Sequence, residues 1–144
     1  MKLTIVTIAY NSAEVIGRTI ESVLAQERGE EPFAIEYLII DGASSDDTVL
    51  TAEQYASAME TAGIEYRISS EPDAGIYDAM NKGIRGASGD IIGILNSGDW
   101  YEPTAAATAV RRPWRWGAGE APAASGVPAI TGSCSVAEAV VGFF

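Results

Sequence analysis

The chain has 144 residues, 47% of them hydrophobic and 20% charged, which describes a packed globule rather than a disordered segment, with the length of one domain. Twenty acidic against nine basic residues leave a formal charge of -11, so nonspecific contact with nucleic acid or an anionic membrane surface is disfavoured, and an anionic ligand needs a local cation or a metal. Histidine is absent, which removes histidine triads, histidine metal sites and a histidine general base, and the single cysteine, Cys134, excludes an intramolecular disulfide and a zinc pattern.

In chain order, strands alternate with helices. Leu3 to Ala9 is a β-branched run that reads as a buried first strand, broken by Tyr10-Asn11-Ser12. A helix follows: Asn11 or Ser12 is placed to cap it, Glu14 falls in its first turn, and Val15, Ile16, Ile20, Val23 and Leu24 share one face. Ile35 to Ile40 reads as the second strand. It delivers Asp41 and a loop running to Thr48, where Asp46 and Asp47 suit a helix amino terminus. The second helix is predicted over 49–62 and the third strand over 64–69. Glu71-Pro72-Asp73-Ala74-Gly75 is built from turn residues. Ile76, Met80 and Ile84 then repeat every four residues, marking a third helix that Gly86 or Gly89 closes, with Asp78 and Lys82 spaced for an ion pair.

Ile91 to Leu95 is an apolar run that ends in Asn96-Ser97-Gly98-Asp99-Trp100, so a buried strand hands one carboxylate to its carboxyl end. Four strands separated by three helices imply right-handed crossovers and a parallel, doubly wound sheet with its polar loops on one edge. The character changes near Pro103. Residues 103–144 hold eleven alanines, five glycines and four prolines without a steady helical or strand period, and their charge is +1 against -12 for the rest. Two parts are therefore expected, 1–103 as the ligand-binding domain and 104–144 as an atypical tail or the result of truncation or frameshift. Trp114, Trp116, Val140, Val141, Phe143 and Phe144 of that tail are available to cover apolar faces of the sheet.

Tyr10, Asp41 and Asp99 follow three different strands and should meet on one edge, where open α/β sheets hold ligands. An aromatic ring stacks on a base, a carboxylate accepts its N–H, and Asp99 suits a hard cation such as Mg²⁺ or Mn²⁺ bridging to a diphosphate. Duller roles stay open: Tyr10 as a cover for the sheet edge, Asp41 and Asn11 as caps, and Trp100 and Tyr101 as packing residues. No Gly-x-Gly-x-x-Gly follows the first strand, and neither a P-loop nor a Gly-x-Ser-x-Gly elbow occurs, which disfavours dinucleotide oxidoreductases, P-loop NTPases and serine hydrolases. No apolar run approaches the roughly 18 residues of a membrane span. Met1 to Ile8 is too short and too alternating for a signal peptide, so cytoplasmic residence is expected, with peripheral contact at the inner face of the membrane left open.

Four segments in register, Val6 to Ser12, Ile39 to Thr48, Glu71 to Gly83 and Asn96 to Trp100, resemble family 2 glycosyltransferases. The resemblance implies a GT-A fold, an α/β mostly parallel sheet with flanking helices. It also implies a nucleotide-diphosphate sugar donor, Mg²⁺ or Mn²⁺, and inverting transfer to a glycan or lipid-linked acceptor in cell-surface polysaccharide or glycan synthesis. By the same likeness Tyr10 and Asp41 face the nucleobase, Asp73, Gly75, Asn81 and Lys82 line the donor pocket, Asn11, Asn96 and Ser97 are further donor-binding residues, and Asp99 is the metal ligand. Gly98 stands where many relatives carry another Asp. The base that deprotonates the acceptor is expected after the metal motif, and none of Glu102, Glu120 and Glu138 is assigned to it. A transferase and a donor-binding module without transfer therefore both remain open.

Overall fold

The computed structural model describes residues 1–30 and 32–111. Four strands, β1 (Lys2–Ala9), β2 (Ala34–Asp41), β3 (Ile64–Ser70) and β4 (Ile91–Asn96), form one sheet in the order β3-β2-β1-β4. Every pairing is parallel, with Ala9 opposite Asp41, Asp41 opposite Ser70 and Ile8 opposite Asn96. All four carboxyl ends thus lie on one edge. The chain winds outward from β1 to β3 and then returns to place β4 on the other side of β1. The order thus reverses between β1 and β4, which is the place where open α/β sheets hold ligands.

Both faces of the sheet are covered, which is why β1 from Leu3 and β2 from Ile35 are buried residue after residue instead of alternately. On one face Ile5, Ile35, Tyr37, Ile39, Ile91 and Leu95 pack under α1 (Ile16–Leu24), α2 (Thr48–Glu53), α3 (Ala56–Thr61) and α5 (Ala105–Arg111). On the other, Val6, Ile8, Leu38, Ile40, Ile92 and Ile94 pack against α4 (Ile76–Gly86). Each fully buried isoleucine contributes about 1.5–3 kcal/mol by leaving water. Among the described residues β3 pairs with β2 alone, and after buried Ile64 its residues are half-buried or exposed.

Several expectations are corrected. The first helix begins at Ile16, not at Glu14 or Val15, and Val15 is exposed. Neither Asn11 nor Ser12 caps it with a side chain; the Ser12 carbonyl accepts the Val15 and Ile16 amides. The second helix is two short ones, α2 and α3, meeting at Gln54 and Tyr55. In α4 the small residues Ala79 and Gly83 are the buried ones, Met80 and Ile84 pack at the margin, and Ile76 is exposed. A Cβ on Gly83 would lie 2.3 Å from a Val6 methyl, so the helix rests on the strand at glycine distance. Helix α5 replaces the irregular structure expected after Pro103: Ala105, Ala106, Ala107 and Val110 are buried against the α1 side. The tail aromatics from Trp114 onward, and the rest of the segment 112–144, lie outside the described residues.

Candidate functional site

The carboxyl edge is assembled by side chains that tie one loop to another. After β1 the chain turns through Asn11 with φ +47°. The Asn11 amide donates to Ser44 Oγ at 2.8 Å, and its side-chain carbonyl accepts the Ser45 amide at 2.9 Å. Ser12 donates its amide to Thr48 Oγ1 at 2.7 Å, and its hydroxyl lies 2.9 Å from that of Ser97 after β4. Asp46 accepts the Ala13 amide at 3.1 Å and both the amide and the hydroxyl of Thr48, whose hydroxyl is the main cause that holds the Asp46 carboxyl below its ordinary range. Asp46 thus joins loops and is not merely a charge at a helix start.

Asp41 is fully buried. Its carboxylate accepts the Ser44 amide at 2.9 Å, the Ser44 hydroxyl, and the Ser70 hydroxyl at 2.6 Å. It caps no helix; it fixes the turn that follows β2 to the end of β3. Gly42 beside it is the tightest point of the edge. A Cβ there would lie 2.7 Å from Asp73 Oδ2 and 3.3 Å from the Tyr10 ring. The Tyr10 ring and the Asp73 carboxylate therefore lie against this backbone at a distance that only glycine allows, and Tyr10 keeps 67% of its surface exposed. Sequence reasoning passed over Gly42, although it stands next to Asp41 in the motif.

The segment 71–82 is braced from within. Asp73 accepts the Gly75 amide at 2.9 Å, and Gly75 has φ +109° at the start of α4. Lys82 donates to the Pro72 carbonyl at 2.8 Å and pairs with Glu71 at 3.2 Å and Asp78 at 3.6 Å, so the expected ion pair is present. Partial burial lowers the Lys82 pKa, but the two carboxylates outweigh it and the ammonium titrates above its ordinary range. With three acceptors around it, this ammonium holds the loop instead of standing open to a ligand. Asn81 is exposed on α4.

The loop after β4 has its backbone groups taken up by neighbours. The Ser97 amide reaches the Ile8 carbonyl at 3.2 Å and the Asp99 amide the Asn96 carbonyl at 3.1 Å. Thr19, fully buried on α1, accepts the Gly98 amide and donates to the Asp99 carbonyl, both at 2.8 Å. Gly98 takes φ +96°, a conformation L side chains rarely adopt. The Arg18 guanidinium stacks on Trp100 at 3.3 Å from the ring centre, and Tyr101 packs on the core, as expected of packing residues. Thr19 carried one signal in the sequence, a hydroxyl at the apolar spacing Ile16, Ile20, Val23.

Among the described residues no three acidic or cysteine side chains converge into a metal cage. One carboxylate completed by phosphate oxygens and water is the donor set that suits Mg²⁺ or Mn²⁺ in phosphate sites, whereas an all-protein cage is excluded there. A hollow beside Ala56, Glu60 and Gly63 to Tyr66 lies at the amino end of β3, the opposite end from these loops. No helix among the described residues is long and apolar enough to cross a membrane.

Comparison with known proteins bears on the family and the fold. The model of a family described as Glycosyl transferase family 2 matches residues 4–120. An uncharacterised glycosyltransferase of Mycobacterium tuberculosis is 44% identical over 110 residues, covering 75% of this chain and 38% of the relative. Chondroitin synthase of Escherichia coli is 36% identical over 98 residues, covering 67% of this chain and 13% of the synthase. The chain thus spans less than two fifths of the mycobacterial relative's length. Among solved structures, S. aureus TarS 1-349 in complex with UDP-GlcNAc superposes with a TM-score of 0.63 at 21% identity, over 77% of this chain and 30% of TarS. A mannosyltransferase from Pyrobaculum calidifontis in complex with GDP-Man and Mn²⁺ does so with 0.58 at 21% identity, over 69% and 28%.

Proposed function

The chain belongs to glycosyl transferase family 2 and has the GT-A fold, and from that premise we propose that its carboxyl sheet edge binds a nucleotide-diphosphate sugar for inverting transfer to a glycan or lipid-linked acceptor. The observation that carries the reading is the joining of the loops after β1, β2 and β4 at the point where the strand order reverses. Ser12 meets Ser97, and Asn11 meets Ser44 and Ser45, leaving Tyr10 exposed beside Asp73 and Asp99 at the end of the β4 loop.

Tyr10 supplies a ring for the base, and Gly42 lets the Asp73 carboxylate and the Tyr10 ring approach the same stretch of backbone. Asp41, Asn11 and Lys82 hold the loops that shape this end, while Gly75, Asn81, Asn96 and Ser97 line its rim. Asp99 is the residue that would hold Mg²⁺ or Mn²⁺. When bound, the cation supplies Lewis-acid stabilisation of the departing diphosphate. It also offsets the repulsion between a diphosphate and a chain of net charge -11. The role assigned is the synthesis of a cell-surface polysaccharide or glycan from the cytoplasmic side of the membrane, with residues 1–103 as the donor-binding unit.

A second reading is donor binding without transfer. After Asp99 the described residues contain one further acid, Glu102, exposed and three positions away, and no base is assigned to it. Calorimetric titration of the full chain with UDP-GlcNAc and GDP-Man, in Mn²⁺ and in EDTA, tests the common part. At least one nucleotide sugar should bind more tightly with Mn²⁺, and Asp99→Asn should remove the gain. Absence of binding by any nucleotide-diphosphate sugar overturns both readings. Product formation with a glycan or lipid-linked acceptor selects the transferase, and metal-dependent binding without product selects the binder.

A further inference from the structure

Helix α1 carries a polar row along a face that otherwise meets the core. Thr19, Ser22 and Gln26, spaced three and four apart, fall on one side of the helix and its C-terminal extension. Thr19 Oγ1 accepts the Gly98 amide and donates to the Asp99 carbonyl, each at 2.8 Å. Ser22 Oγ donates to the Thr19 carbonyl at 2.7 Å and accepts the Tyr101 amide at 3.2 Å. Gln26 donates from its amide nitrogen to the Ser22 and Glu102 carbonyls, both at 2.9 Å, and accepts the Ala106 amide at 2.8 Å. One step further, the Glu27 amide reaches the Pro103 carbonyl at 2.8 Å.

From Gly98 to Ala106, the chain is therefore laid along α1 and bonded to it at intervals, by side chains that are buried in the case of Thr19 and Gln26. The helix itself is seated in the core through Ile16, Ile20 and Val23. Such bonds cannot be exchanged for water at those depths, and a β-branched threonine has few rotamers with which to follow a drifting loop. The backbone that carries the Asp99 side chain is thereby fixed relative to the sheet.

We propose that Thr19, Ser22 and Gln26 are positioning residues, which hold the Gly98 to Ala106 segment so that Asp99 presents its carboxylate to the divalent cation of the donor. This rests on the reading of Asp99 as the cation ligand. The row acts on the metal only through the backbone it fixes, as outer-shell groups do at metal sites.

The test is the Mn²⁺ dissociation constant of the full chain, read from the electron paramagnetic resonance of free Mn²⁺ with UDP or GDP at saturation, whichever the wild-type chain binds more tightly. Thr19→Val should raise that constant about tenfold or more, and Thr19→Ser should restore most of the loss. Ser22→Ala, a milder change at a half-buried site, should shift it in the same direction and carries the test where Thr19→Val does not fold. Wild-type Mn²⁺ affinity in both Thr19→Val and Ser22→Ala overturns the proposal. If Asp99→Asn abolishes Mn²⁺ binding in that case, the row is scaffold only and the Asp99 reading stands. If Asp99→Asn also binds like wild type, the Asp99 reading fails and takes the proposal with it.

Discussion

Gly98 illustrates how a single residue changes meaning once its backbone is known. In sequence it is a departure from a family pattern in which an acid often stands at that place. In the fold it takes φ +96°, donates its amide to Thr19, and meets nothing closer than Val15 at 3.5 Å where a side chain would begin. Space is therefore ordinary, and the cost of any side chain there comes from the backbone, about 1–3 kcal/mol for a residue held in such a region. Gly98→Ala and Gly98→Asp should both lose about that much in urea denaturation, because either side chain meets the same backbone strain. Wild-type stability in either variant would show that the loop relaxes to a negative φ. The same contrast applies to Asp41: its place at a strand end was legible from the run Ile35 to Ile40, and two of its donors come from nearby Ser44, but the third, Ser70, is a partner that only strand pairing reveals.

At the scale of elements, what the sequence disclosed depended on how strongly each face was marked by size. The four strands appear within one residue of their predicted ends because β-branched runs bounded by Asn, Asp and Gly leave little choice. Helices α4 and α5 were read poorly on their buried sides for one shared reason: their contacts are made by Ala and Gly, which hydrophobic periodicity barely registers. At Gly83 the consequence is measurable. Alanine there gains helix propensity of up to about 1 kcal/mol, but its Cβ must displace Val6, which is fully buried, and overpacking costs about 1–3 kcal/mol. Gly83→Ala should therefore be net destabilising by about 1 kcal/mol, with recovery in the double variant Val6→Ala, Gly83→Ala as the coupling signature. Gly86→Ala is the internal control, since its Cβ would meet only Leu38 at 3.8 Å, and chemical denaturation should find it neutral or stabilising.

The molecule as a whole has one open end and one closed end. Opposite the candidate site, Glu36 is fully buried near the amino ends of the strands, where its carboxylate accepts from Thr4 at 2.5 Å, from the Ser88 amide and hydroxyl at 2.8 and 3.0 Å, and from Arg67. Lys2 stands 3.9 Å away and pairs with Glu65. Through these partners β1, β2, β3 and the turn before β4 are joined at one carboxylate. Burial pushes the Glu36 pKa up, but the Thr4, Ser88 and Arg67 bonds outweigh it and hold the group at about 2, below its ordinary 4.5. A carboxyl whose pKa is depressed by folding contributes stability that is complete above the ordinary value and is lost as pH falls from about 4.5 towards 2. Absolute stability mixes this with relief of repulsion among the other acids of a chain at -11, so the informative quantity is the difference from Glu36→Gln. That variant should be less stable at pH 7 by about 2 kcal/mol, the scale of charged hydrogen bonds. Urea denaturation at steps between pH 7 and pH 2 should then show the gap constant down to about 4.5 and closing below it. A gap that stays constant to pH 2 would mean that the Glu36 carboxylate does not hold this end of the sheet together.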